Sequence, residues 1–298
     1  MSIILSVSYS PDDTLIACID TKVCVRIFRT TTSETAELSL KNDCFVSNMT
    51  KEKVSLHFVD SSRIVVFLSG RLYNILIGVS PNLSLRHIGT VCAPPGASCI
   101  DVGLEVLLVG TLSGDLYVTD LSGTIKFKAS FRDEITCVKS FSSRVLVGTR
   151  SGMLILYDLT SKLEISKLKT QCINSIVLDS KCNWFCCITN KTLISGSTRS
   201  LSQFFESAPL DLIPTRIIFA TVNGALSILA SNPSPNILLF PIDLSSSMPR
   251  LQLSKLDAVF DMQSSKGNFF VCAGPRGIQI VSSNNLQELE TTLAKRDY

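Results

Sequence analysis

The chain has 298 residues, 45% of them hydrophobic and 18% charged, with a net charge of +3. The charged share lies below the roughly 25% of an average soluble domain, and a charge this mild neither demands nor excludes an acidic partner. The longest wholly apolar runs, such as Ile64 to Leu68, are too short to span a membrane, and the start of the chain lacks the basic-then-apolar pattern of a secretory signal.

Short alternating apolar segments broken by turn residues begin almost at once. Ile3 to Ser8, Thr14 to Ile19, Lys22 to Arg29 and Ala36 to Leu40 read as four strands, with Pro11-Asp12-Asp13 as the first turn, and a polar connection follows from Lys41 to Lys53. A second group of four reads from Val54 to Val59, Arg63 to Leu68, Leu72 to Ile77 and Ser84 to Gly89, with turns at Asp60-Ser61-Ser62, Ser69-Gly70 and Pro81-Asn82. After Ala93-Pro94-Pro95-Gly96, the third group holds Cys99 to Val102, Val106 to Gly110, Asp115 to Thr119 and Thr124 to Ala129. Glu134 to Thr170 is the clearest group, with four apolar segments and the turns Ser142-Ser143, Arg150-Ser151-Gly152 and Asp158 to Lys162.

The fifth group is more degenerate: Asn174 to Leu178, Trp184 to Thr189, Thr192 to Ser195 and Leu201 to Phe205. The sixth follows Pro214 with Thr215 to Ala220, Ala225 to Ala230, Ile237 to Ile242 and Arg250 to Leu253. The seventh reads Ala258 to Met262, Asn268 to Ala273, Gly277 to Ser282 and a last strand near Leu289 to Leu293. Leu286, Leu289 and Leu293 also fit helical spacing, so a short helix is the alternative for that end.

The groups start near residues 3, 54, 98, 135, 174, 215 and 258. One four-stranded meander cannot bury both of its faces, so it must stack on copies of itself. Four strands recurring about every 40–45 residues predict an all-β chain: a single seven-bladed β-propeller domain over residues 1–298, with four-stranded antiparallel blades.

In Val147 to Ile165, Gly148 closes the second strand, Ser151-Gly152 turns the hairpin and Tyr157-Asp158 ends the third strand. Gly110, Ser113-Gly114 and Thr119-Asp120 repeat this cadence, and SVSYSPDDTLIACID opens the chain in the same manner. In these features the sequence resembles the WD40-repeat β-propellers, with Tyr157-Asp158 standing where Trp-Asp is typical. The Gly-His signature of that family is missing, and the sole tryptophan, Trp184, falls in a second strand. The family's Asp, His, Ser/Thr and Trp network therefore has no place here, and blade stability must come from apolar packing between sheets. The family closes its ring by sharing one blade between the two termini. Here the first and last blades each read as complete, which predicts a weaker closure, or one helped by a partner. The Phe-Arg-Arg-Gly motif of lipid-binding propellers has only Phe28-Arg29-Thr30 and Phe131-Arg132-Asp133 in its place. The coiled coil of G-protein β subunits and the Trp-Asp-x-Arg of ubiquitin-ligase receptors do not occur.

Eleven cysteines without a CxxC pair, the closest being Cys182, Cys186 and Cys187, read as small buried apolar residues in a reducing compartment. The two histidines, His57 and His87, lie in strands and read as packed or rim residues; no metal site is expected. Sequons at Asn48, Asn82 and Asn190 carry little weight in a chain rich in Ser and Thr. Neither G-x-S-x-G nor a Gly-rich phosphate loop occurs. Asp12-Asp13 and Asp133-Glu134 fall in turns, where acids serve turn chemistry. The inward first strands, Ile3 to Ser8, Cys99 to Val102 and Ile135 to Val138, offer mainly apolar and small side chains toward the axis. No catalytic residue, cofactor or small-molecule substrate is therefore expected.

The turns joining second to third strands share one face of a propeller, and five of seven carry a basic residue: Lys22, Arg71, Arg150, Lys191 and Arg276. Composition alone would place a basic residue in about two. Such a ring suits an acidic peptide or a phosphate backbone; solvated turns are the plain alternative. The expected role is a non-catalytic protein–protein interaction scaffold in an intracellular, cytoplasmic or nuclear, multi-subunit complex, without membrane insertion. The alternative is an RNA-associated subunit that positions nucleic acid for an enzyme partner.

Overall fold

In the computed structural model the described residues are 3–40, 54–103, 106–222, 224–232, 236–245, 248–252, 258–266, 269–275, 277–282 and 288–289. They form strands β1 to β28, grouped in chain order into seven four-stranded antiparallel sheets. The protein is a seven-bladed β-propeller. The innermost strands are β1 (Ile4–Tyr9), β5 (Ser55–Asp60), β9 (Ala97–Val102), β13 (Ile135–Phe141), β17 (Ile173–Leu178), β21 (Arg216–Val222) and β25 (Asp261–Ser264). Each lies beside the next around the axis, and β25 lies against β1.

The period-2 pattern explains the packing, because successive side chains of a strand serve opposite faces. Adjacent Cys186 and Cys187 in β18 (Trp184–Thr189) enter different cores, one toward blade six and the other toward blade four. Among the described residues the buried apolar side chains fall into seven clusters, one between each neighbouring pair of blades. Seven sheets in an open row would have six such interfaces. The seventh joins Ile4, Val7, Tyr9, Ile16, Cys18 and Phe28 of blade one to Val271, Ala273 and Ile280 of blade seven. Each terminal blade is built from its own end of the chain, since β28 (Glu288–Leu289) pairs with β27 (Gly277–Ser282). The chain adopts a strand there, and residues 290–298 lie outside the described set, as does the connection 41–53.

Several boundaries differ from expectation for local reasons. The third strand of blade one, β3 (Cys24–Arg29), starts after Val23, which has φ +60°. The buried Asp20 accepts the Lys22 and Cys24 N–H groups (2.9 and 3.0 Å) and ties that turn down. In blade five, Leu201 is buried against the blade four–five core, its N–H donating to Ser166 Oγ (3.3 Å), and the outer strand β20 (Phe204–Glu206) begins later. In blade seven, Phe260 N donates to Ala273 O (2.8 Å), and the inner strand proper begins at Asp261.

Blades three and four share a stitch. Ser98 Oγ bonds the carbonyl oxygens of Gly110 (3.0 Å) and Ile135, and Thr136 Oγ1 bonds those of Gly148 (3.1 Å) and Ile173. Each hydroxyl links its own second strand to the next blade. The approach needs glycine: a Cβ on Gly148 would lie 2.6 Å from Cys137 Sγ and 2.8 Å from Ile173 Cγ2. Gly148→Ala is therefore expected to destabilise the fold by about 1–3 kcal/mol in denaturant titration. Gly89→Ala, whose Cβ would meet nothing within 4 Å, should leave stability unchanged.

Candidate functional site

Two places gather chemistry-bearing side chains: the axial channel and the face bearing the turns between second and third strands. A cavity of about 380 Å³ on the axis is lined by residues of all seven innermost strands. Its wall is more charged than expected, which corrects the reading of these strands as mainly apolar and small. Asp101 of β9 receives Lys139 Nζ (2.7 Å), Ser140 N (2.7 Å) and Ser140 Oγ (2.7 Å) from β13. Asp261 of β25 receives Arg216 Nε (2.8 Å) from blade six, and Ser6 Oγ and Val7 N (both 2.9 Å) from blade one. In both, a carboxylate on one inner strand takes a backbone N–H of the following blade. Burial alone would raise the Asp101 carboxyl; the Lys139 charge, then His57, and the bonds from Lys139 and Ser140 hold it below its ordinary range.

His57 of β5 also lines this wall, with its Nε2 closed off from solvent and without a hydrogen-bond partner among the described residues. Burial, reinforced by the Lys139 charge, lowers its pKa to about 4. The imidazole is therefore neutral at physiological pH. His87 stands instead on the outer strand β8 (Ser84–Cys92), exposed, with Nε2 2.9 Å from Thr90 Oγ1 and its ring 6.0 Å from that of Tyr73.

Of the five basic turn residues, four lie within the described set and Arg276 lies outside it. Lys22, Arg150 and Lys191 are exposed, and Arg71 is partly buried at the start of β7 (Arg71–Gly78). The common direction of the blades places these turns on one face. The ring is diluted, because Arg150 Nη1 bonds Glu134 Oε1 (3.2 Å). Sequence reasoning passed over Lys169, whose ammonium donates to Ser151 O (2.6 Å) and adds a cation beside Arg150. Gly152 at φ +89° shapes that turn; a Cβ there would meet the Thr170 carbonyl.

The ten described cysteines are free, and burial pushes the Cys18 thiol up to about 12 and those of Cys186, Cys187 and Cys272 up as well, so these four pack as apolar groups. Among the described residues no group of three His, Cys, Asp or Glu is placed to hold a metal, and no helix is long and apolar enough to cross a membrane.

A histidine whose folded pKa lies below its unfolded value binds its proton more readily when unfolded, so stability falls as pH drops. The His57 share is complete above about pH 6.5, is lost between there and about pH 4, and levels off below. It amounts to up to about 3 kcal/mol. Chemical denaturation from pH 7 to 4 should show this slope reduced in His57→Gln.

No protein-family model matches the chain, and no curated protein matches it either.

Proposed function

We propose that this propeller is a non-catalytic interaction scaffold, a divergent relative of the WD40 proteins that serves as a subunit of an intracellular multiprotein complex. The supporting observation is the rim. The outer strands of blades two to four are β8, β12 (Ile125–Ser130) and β16 (Leu163–Lys169). They expose Ile88, Ile125, Leu163 and Ile165, with Leu163 at 64%. Arg86, Lys126, Lys128, Lys167 and Lys169 stand among them against the single acid Glu164 of these strands, with Lys128 paired to Asp115 of the neighbouring strand (2.9 Å). Apolar side chains beside an excess of cations suit a protein surface that is apolar and acidic. A rigid ring presents such a surface without reordering on binding. The free thiols suit a reducing compartment.

Native purification of the tagged full chain, with quantification of what accompanies it, tests this reading. Leu163→Glu with Ile165→Glu should lower recovery of the accompanying proteins at least tenfold with the folded ring intact. An unchanged set, or no accompanying protein at all, would contradict it.

The second reading, an RNA-positioning subunit, is supported by the basic turns and Lys169. Replacing Lys22, Arg71 and Lys191 with Glu should then weaken binding of a labelled single-stranded RNA and flatten its log–log salt slope by about 2. An unchanged slope removes this reading.

A further inference from the structure

A second cavity, of about 360 Å³, opens between the rims of blades two and three. Arg63, Asn74, Ile88, Gly89, Val91 and Leu121 are in its wall. Its volume falls at the lower end of the range of small ligand pockets, enough for one large apolar side chain. A β-bulge shapes it. Along β8, Gly89 pairs with Asn74 and His87 with Ile75, so Ile88 is the extra residue. Ile88 is 50% exposed at the mouth, and the absent side chain of Gly89 leaves open space beside it. Asn74 Nδ2 donates to Leu121 O (3.2 Å) and ties the two blades together.

The nine-residue β8 is the outermost strand of its sheet, so among the described residues no further strand pairs with its outer edge. Such an edge is a template for a further strand. Of the charges on this side, Arg63 is paired with Asp60 and Asp120 is held by its own turn, while Arg86 makes no ion pair among the described residues. His87 turns toward Tyr73, which belongs to the core between blades one and two, so alternation puts Arg86 on the side of the pocket. Arg63 stands in the pocket wall, its Nε fixed by Asp60 (2.8 Å), and β8 itself carries no acid.

We infer that the edge of β8 receives an extended segment of another protein as a fifth strand, with one large apolar side chain in the pocket and acidic side chains opposite Arg63 and Arg86. Main-chain pairing supplies affinity, while the pocket and the two arginines select the sequence. A nucleic acid would satisfy the arginines but leave the strand edge unpaired. The assignment rests on the scaffold reading above and names the kind of partner.

Selection of a displayed library of eight-residue peptides on the full chain tests it, followed by fluorescence polarisation with the selected peptides. The expected consensus is one Leu, Ile or Phe flanked by Asp or Glu. Gly89 has an ordinary φ, so Gly89→Leu fills the pocket from a position where a Cβ meets nothing. This variant should keep the wild-type melting temperature and bind at least thirtyfold more weakly. Arg63→Glu with Arg86→Glu should shift the preferred flanks from acidic to basic. No enrichment, a consensus without an apolar anchor, or unchanged binding by Gly89→Leu would overturn the assignment. If Gly89→Leu retains both the peptides and the natively co-purifying proteins, the pocket is excluded and the scaffold reading survives. If wild type co-purifies nothing, the scaffold reading itself falls.

Discussion

Burial of both faces of every sheet is the constraint on which the rest of this structure depends. A four-stranded meander with apolar side chains on its two faces is unstable alone, because one exposed face would put several large side chains into water at about 1.5–3 kcal/mol each. Blade four shows the arrangement: Val145 and Val147 pack toward blade three while Leu146 and Leu154 pack toward blade five. The same demand at both ends of the row is met only when the first blade meets the last, as Val7 and Tyr9 do with Val271 and Ile280. Closure is thus a consequence of the alternation that makes the strands.

The polar groups near the axis refine this packing. Asp101 and Asp261 each receive a cation and a backbone N–H from neighbouring inner strands. Pairing of this kind contributes modestly to net stability but costs several kcal/mol to disrupt, since it leaves a shielded charge without a partner. It also fixes the relative register of the blades, which apolar contact alone does not. Asp261 has the particular role of joining blades six, seven and one. A carboxylate clasp therefore stands where a shared blade would otherwise lock the ring.

Much of this was legible in the sequence because it is local. Strand alternation, the turns at Ser69-Gly70 and Ser151-Gly152, and the glycines Gly110 and Gly148 are set within a few residues, and they gave blade number and strand order. The channel was less legible. Ser6 and Asp261 are 255 residues apart, and Lys139 lies 38 residues from Asp101, so nothing in the local pattern connects them. An acid in one inner strand and a base in a neighbouring one was the available signal, and it becomes readable only once the blades are aligned. The pocket beside β8 was hidden for another reason: a bulge displaces one residue from the ladder without altering composition. Of the basic turns, the chain shows Arg150 partly neutralised by Glu134, a pairing that counting Lys and Arg alone does not reveal.

Native-state hydrogen exchange of the intact chain, resolved by peptide, tests the closed ring most directly. Amides of β1 and β25 should open with the same free energy as those of β13, because no blade is an end. Exchange of β1 and β25 through a separate, lower-energy opening while β13 stays protected would show that the first and last blades are loose ends, and would contradict the account.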